Sequence, residues 1–152
     1  MSSATLKIRS ATQDDVDLVA PLFDQYRQFY KQSPDLGGAR KFLIERFVKN
    51  ESLVLLAIDS ELGAVGFIQL YPTFSSVSMK RLWILNDLFV SPSVRKKGVG
   101  ELLMKEAENF ARKTNSKGLK LQTAVDNFPA QRLYERVGWV KEKEFIQYNL
   151  YF

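Results

Sequence analysis

Leu88-Phe89-Val90-Ser91-Pro92-Ser93-Val94-Arg95-Lys96-Lys97-Gly98-Val99-Gly100-Glu101-Leu102-Leu103-Met104 is the stretch on which the reading turns. It opens as an apolar strand, closes as the start of a helix, and joins them by a tight loop with glycines at alternate positions. The first amides of a helix have no partner within it and stand at the positive end of its dipole. Gly98 and Gly100 carry no Cβ, so a bulky anion can come close to the backbone. The pattern suits a pyrophosphate, with Arg95, Lys96 and Lys97 supplying positive charge. Two common phosphate loops do not fit. No Gly-Lys-Ser/Thr follows, as a P-loop requires, and Leu103 stands where the third glycine of a dinucleotide fingerprint would fall. Taken alone, the loop is equally well an ordinary strand-to-helix turn with solvated lysines.

Outward from this loop the chain alternates between the two periodicities. Leu6–Arg9 alternates as a strand. Thr12 opens a Thr-x-x-Asp capping pattern, and Val16, Val19, Leu22, Phe23, Tyr26, Phe29 and Tyr30 follow at helical spacing. The run Ser33-Pro34-Asp35-Leu36-Gly37-Gly38 breaks that helix, and a second is predicted from Ala39 to about Lys49, with Phe42, Leu43, Phe47 and Val48 as its apolar face. Ser52–Ile58 and Ala64–Tyr71 read as a hairpin around Asp59-Ser60-Glu61-Leu62-Gly63. Arg81–Val90 is a strand with Leu82, Ile84, Leu88 and Val90 on one side and Trp83, Leu85 and Phe89 on the other, hence apolar on both and central. After the loop come a helix ending near Asn115, a strand at Leu119–Val125, a short helix at Pro129–Val137 closed by Gly138, and a last strand at Phe145–Leu150. Strand–helix–strand alternation in the second half demands parallel pairing, whereas the hairpins are antiparallel. The expectation is an α/β (α+β) fold: one domain, 1–152, with a mixed sheet covered by helices.

Composition narrows the chemistry. The 152 residues contain neither cysteine nor histidine. Disulfides, thiolate nucleophiles, Ser–His and Cys–His mechanisms and the usual zinc ligands all drop out, and no metal is expected. Proton traffic must run through Tyr, Asp, Glu, Lys or water. The net charge is +5, and its one tight basic cluster flanks the glycines, which favours a phosphate-bearing small molecule over nucleic acid. The start Met1-Ser2-Ser3 lacks the features of a signal peptide. The longest aliphatic run, Leu53–Ile58, is far short of the ~20 residues of a membrane span. The expected compartment is the cytoplasm.

With these residues in view, the chain resembles the GNAT N-acetyltransferase superfamily. Arg95-Lys96-Lys97-Gly98-Val99-Gly100 is similar to its Arg/Gln-x-x-Gly-x-Gly/Ala signature, and Asn127-Phe128-Pro129-Ala130-Gln131-Arg132-Leu133-Tyr134-Glu135-Arg136-Val137-Gly138-Trp139 resembles its Asn-x-x-Ala-x-x-x-Tyr-x-x-x-Gly-Phe/Trp helix. The resemblance covers essentially the whole chain. It implies a mostly antiparallel sheet whose central parallel strands splay, flanked by about four helices, with acetyl-CoA as co-substrate. The pyrophosphate would lie on backbone amides from Arg95 through Lys96, Lys97, Gly98 and Val99 to Gly100. The pantetheine arm would run beside Leu88, Phe89 and Val90, in the gap before Leu119–Val125. Asn127, Ala130 and Tyr134 would face the cofactor, and Tyr134 would protonate the departing thiolate. Read only as residues, these three are an N-cap, a core alanine and a core tyrosine.

Asn86-Asp87 interrupts the apolar strand, and buried polar groups cost free energy unless partnered. Asp87 is the candidate to orient an amine or a proton-relay water, with a purely structural carboxylate as the equal alternative. Leu85-Asn86-Asp87-Leu88-Phe89-Val90 resembles the Leu-Glu-Asp-Phe-Phe-Val strand of polyamine acetyltransferases, with Asn86 replacing a glutamate implicated in proton transfer. The implied acceptor is a primary amine on a polyamine, an amino acid or a protein lysine or N-terminus. Its pocket is expected between Tyr30–Gly38 and Tyr71–Lys80, with Tyr26, Tyr30 and Phe74 as candidate lining. A non-catalytic acyl-CoA-binding sensor on the same fold is the alternative. The aromatic-rich C-terminal edge, Phe145–Phe152, suits a homodimer.

Overall fold

The computed structural model describes residues 5–152. They form two compact units, one ending at Leu121 and one running from Gln122 to Phe152. The first holds a five-stranded sheet in the order β1 (Leu6–Ser10), β2 (Leu53–Asp59), β3 (Gly63–Ser75), β4 (Lys80–Val90) and β5 (Leu119–Lys120). Neighbours are antiparallel except the parallel pair β4–β5. Helices α1 (Val16–Phe29) and α2 (Leu36–Val48) pack on one face, and α3 (Val99–Lys113) on the other. With α4 (Phe128–Arg136) in the second unit, this is the mixed, mostly antiparallel α/β architecture with four helices that the sequence implies.

Local chemistry explains the boundaries. Arg9 forks both guanidinium nitrogens onto Asp15, each at 2.8 Å, and the Thr12 amide donates to the same carboxylate. These donors, Arg9 foremost, hold the Asp15 carboxyl down at about 2. Helix α2 starts at Leu36 rather than at the expected Ala39, because Asp35 caps it by accepting from the Gly38 amide at 2.9 Å. A Cβ on Gly38 would collide with that carboxylate, so the glycine that reads as a breaker is what the cap requires. Strand β3 outruns the expected Tyr71 and carries Pro72. Beyond Leu70 it has a neighbour on one side only, where a missing N–H costs little.

The face under α1 and α2 is packed by Val19, Leu22, Phe23 and Leu43 against Leu56, Phe67 and Phe89. Fully burying each larger side chain contributes about 1.5–3 kcal/mol. Val48, expected on that face, is exposed. The opposite face meets Leu103, Met104 and Ala107 of α3, and Trp83 hydrogen bonds Thr114 at 2.9 Å while its ring lies 5.1 Å from that of Phe110.

Strand β4 changes phase in its middle. Gln69 pairs with Asp87 but Leu70 pairs with Leu85, so Asn86 is an extra residue, a β-bulge without a counterpart on β3. Trp83 and Leu85 face α3, whereas Asp87 and Phe89 face α1, although unbroken alternation would put all four on one side. The apolar character of both sides, read from sequence as a uniformly central strand, is two half-strands of opposite phase.

The parallel ladder to β5 holds only Trp83↔Leu119 and Ile84↔Lys120 and stops where the bulge begins. Of the expected strand Leu119–Val125, Leu119 and Lys120 form β5 within the first unit. Among the described residues, 85–90 of β4 pair with β3 alone.

In the second unit Asn127 caps α4 by accepting from the Ala130 amide at 3.3 Å, as the sequence suggested, and Gly138 follows the helix at φ 100°. The expected strand Phe145–Leu150 does not form. Its alternation is that of a strand, but a strand exists only where another edge supplies the ladder, and among the described residues none pairs with it. Its Phe145, Ile146, Tyr148 and Leu150 are exposed.

Candidate active site

The bulge concentrates the polar chemistry of the first unit. Turning Asp87 towards α1 buries it to 3% exposure in a layer whose other buried strand side chains, Gln69 apart, are apolar. Its carboxylate oxygens are divided between two amides: Gln69 Nε2 donates to Oδ2, and Asn86 Nδ2 donates to Oδ1 at 3.0 Å. From α1, the Tyr26 hydroxyl donates to Asn86 O at 3.1 Å. Burial pushes the Asp87 carboxyl above the usual carboxylate range, and hydrogen bonds from Gln69, Asn86 and Tyr26 partly pull it back. Tyr71, one strand over, is pushed up by its own burial and by the nearby Asp87 charge, with Arg46 acting in the opposite sense. A carboxylate held this way accepts a proton at higher pH than a free one.

Aromatic rings extend from this point towards solvent. Tyr26 lies 6.1 Å from Phe67 and 5.1 Å from Tyr30, and Tyr30 lies 5.2 Å from Phe29. The connection after α1 is tied down by Asp24, buried and accepting from Arg27 at 2.9 Å and from the Asp35 amide at 3.0 Å. Tyr26 thus stands beside the bulge with Tyr30 against it, and Phe74 lies exposed under the Arg81 guanidinium.

Strand β4 then runs into the glycine loop. The Ser91 amide donates to Val65 O on β3 at 2.7 Å, so strand alternation turns the preceding Val90 amide to the edge where β5 no longer pairs. Pro92–Val94 forms one 3₁₀ turn, Lys96 and Gly98 both take left-handed φ (66° and 81°), and α3 begins at Val99 with no side chain capping it. Among the described residues nothing lies within 4 Å of where a Gly98 Cβ would be. An uncapped helix start with open space before it fits a pyrophosphate. Arg95 folds back, its Nε donating to Val90 O at 3.0 Å and its guanidinium 5.5 Å from the Phe89 ring centre, while Lys96 and Lys97 are exposed.

With this loop in place, residues 19–139 match the acetyltransferase (GNAT) family. The chain belongs to that family. The acetyltransferase is 49% identical to an uncharacterised N-acetyltransferase of Bacillus subtilis strain 168, over 95% of its own length and 97% of the relative's. A solved structure described as a probable acetyltransferase superimposes with a TM-score of 0.91 at 41% identity, covering 96% of this chain and 97% of that one. A D-amino-acid N-acetyltransferase of Saccharomyces cerevisiae is 31% identical over 63% of this chain and 60% of its own. The acetyltransferase is thus an acetyl-CoA-dependent N-acetyltransferase.

Of the residues singled out from sequence, Asn86, Asp87, Leu88, Phe89 and Val90 adjoin one another at and after the bulge, and Arg95–Gly100 follows directly. Ala130 and Tyr134 are on α4 in the second unit with Asn127 as its cap, and Tyr134 lies 6.1 Å from Trp139. Gln69 was not foreseen. Its signal was present: a lone amide between Ile68 and Leu70 in a strand otherwise apolar. Among the described residues no helix is long and apolar enough to cross a membrane.

Proposed function

We propose that this acetyltransferase moves acetyl from acetyl-CoA to a primary amine by direct attack in a ternary complex, with residues 1–152 acting as one domain. The observation that supports this most is the buried Asp87 carboxylate, turned to the α1 face by a bulge at the point where β4 loses its outer neighbour. An alkyl ammonium with a pKa near 10 must lose a proton before it can attack. Without histidine, Asp87 accepts that proton, directly or through water, and Asn86 fixes the carboxylate's orientation. The amine nitrogen then bonds to the thioester carbonyl carbon, the carbonyl polarised by the Val90 amide, which alternation turns away from β3, and as the carbon–sulfur bond breaks the nitrogen gives up its second proton to water. By resemblance to the family, Tyr134 gives its proton to the leaving thiolate.

Backbone amides from Arg95 to Gly100 hold the pyrophosphate in this reading, and Leu88, Phe89 and Val90 flank the pantetheine; Asn127 and Ala130 join them as cofactor contacts by resemblance. The acceptors within its scope are polyamines, amino acids and protein lysines, and the name of the yeast relative adds weight to amino acids of the D series. The exposed aromatics of Phe145–Phe152 support a homodimer, which sedimentation would check, and the proposed compartment is the cytoplasm.

The decisive experiment is release of CoA thiol across a panel of polyamines, amino acids of both hands, aminoglycosides and a lysine peptide, run beside Asp87→Asn. One responding class, with turnover lost in the variant, is expected. Full turnover in Asp87→Asn would remove the proton-acceptor role.

A further inference from the structure

Gln69 has no solvent exposure, yet only one end of its amide is satisfied. Nε2 donates to Asp87 Oδ2, while Oε1 is buried with no hydrogen-bond partner. An orphaned buried acceptor costs about 1–3 kcal/mol. The reverse orientation is worse, since it would set Oε1 against a carboxylate oxygen, acceptor to acceptor. The amide is therefore held in the one orientation that serves an ionised Asp87, and at a cost that core packing alone gives no reason to carry. Cross-strand pairing of Gln69 with Asp87, immediately at the bulge, leaves the side chain no other register from which to reach it.

We propose that Gln69 is a positioning residue for this transfer: its amide, laid across the bulge, fixes the Asp87 carboxylate as an acceptor and so sets the pH at which the enzyme begins to work. The inference rests on Asp87 being the proton acceptor proposed above. The other groups facing Asp87 are Tyr26 from α1, Tyr71 from β3 and Asn86 from its own strand; Arg46 of α2 acts on Tyr71, and the one other buried carboxylate on α1, Asp24, is paired with Arg27. Among the hydrogen-bond donors Gln69 does most to hold Asp87 down, and it reaches the carboxylate from the neighbouring strand.

The test is the pH profile of kcat/KM, together with the titration of the Asp87 carboxyl carbon followed by NMR, which needs no acceptor amine. Gln69→Met keeps the volume, removes the donor and also removes the orphaned oxygen. The acidic limb and the NMR titration should both move up by about one pH unit, roughly tenfold in rate below the limb, with the plateau within about twofold. A purely structural role would instead lower the rate equally at every pH. Gln69→Glu sets a second carboxyl against the first and should move the midpoint further in the same direction, so the argument survives if the methionine variant does not fold. In Asp87→Asn the limb should vanish, and adding Gln69→Met to it should change nothing more. A limb that vanishes in Asp87→Asn but does not shift in either Gln69 variant overturns the role of Gln69 alone. A limb that persists in Asp87→Asn overturns the Asp87 reading beneath it.

Discussion

Gly66 sits on β3 where β4 and α3 come closest, and replacing it with alanine tests that contact. A Cβ there would lie 3.1 Å from Phe89 O, 3.3 Å from Leu103 Cδ1 and 3.5 Å from Val99 Cγ1. Relaxed contacts between carbon atoms fall at about 3.5–4.0 Å. The tightest neighbour is a backbone carbonyl that cannot rotate away, and Leu103 is wholly buried, so strand and helix must part by a few tenths of an ångström. Two effects compete. Alanine in place of glycine removes unfolded-state freedom, a gain of about 0.4–1 kcal/mol where the backbone tolerates it. Overpacking a core costs about 1–3 kcal/mol. The steric term wins, for a net loss of about 1–2 kcal/mol, or a Tm lower by about 2–8 °C in a chain of this size. Urea unfolding followed by circular dichroism should show a lower midpoint with unchanged slope. Because the group pushed hardest is the carbonyl of Phe89, in the stretch proposed to flank the pantetheine, KM for acetyl-CoA should also rise. A variant as stable as the parent, or more so, would refute the claim that helix and strand are in hard contact over Gly66.

Gly98→Val should weaken acetyl-CoA binding at least tenfold in calorimetric titration. It forces a β-branched residue to φ 81°, costing about 1–2 kcal/mol of strain in a loop where a Cβ meets no clash, and unaltered affinity would remove the loop from the cofactor site. Tyr134→Phe should cut kcat about tenfold or more with acetyl-CoA affinity retained; equal turnover would end its role as acid. Asp15→Asn should flatten the acid side of the stability curve. The folded carboxyl sits at about 2, below its unfolded value, so its contribution is present above about pH 4 and disappears as pH falls towards 2. Since Arg9 is half exposed, that contribution is on the order of 1 kcal/mol, and a variant with the parent's full acid sensitivity would assign the loss elsewhere.

Much of this was legible because periodicity and burial agree over long runs. Val16 to Phe29 holds one helical phase, and Leu53–Asp59 faces Gly63–Ser75 across a turn whose Asp59 accepts from the Glu61 and Leu62 amides at 2.8 and 2.9 Å. What escaped depends on partners that sequence spacing does not encode. Gly37-Gly38 reads as an end until Asp35 is seen capping the helix from outside. Leu119–Val125 reads as a full strand, yet its ladder on β4 comprises Leu119 and Lys120 alone, because pairing needs a partner edge that periodicity does not encode. At the site, Asp87 was visible as a charge in an apolar strand, whereas Gln69 showed only as a lone amide whose meaning lies in its register against a residue 18 positions away.

The bulge at Asn86 behaves like a shifted reading frame. Residues before and after it are each written in ordinary strand alternation, but in different frames, and one inserted position joins them. Any substitution at Asn86 leaves both frames intact, since the position opposes nothing on β3. Losing the position would send Asp87 into the layer of Leu103 and Met104 and carry Phe89 away from Phe67, without altering another letter of the strand. In this strand the length of the chain, more than the identity of the residue, decides which layer receives the charge.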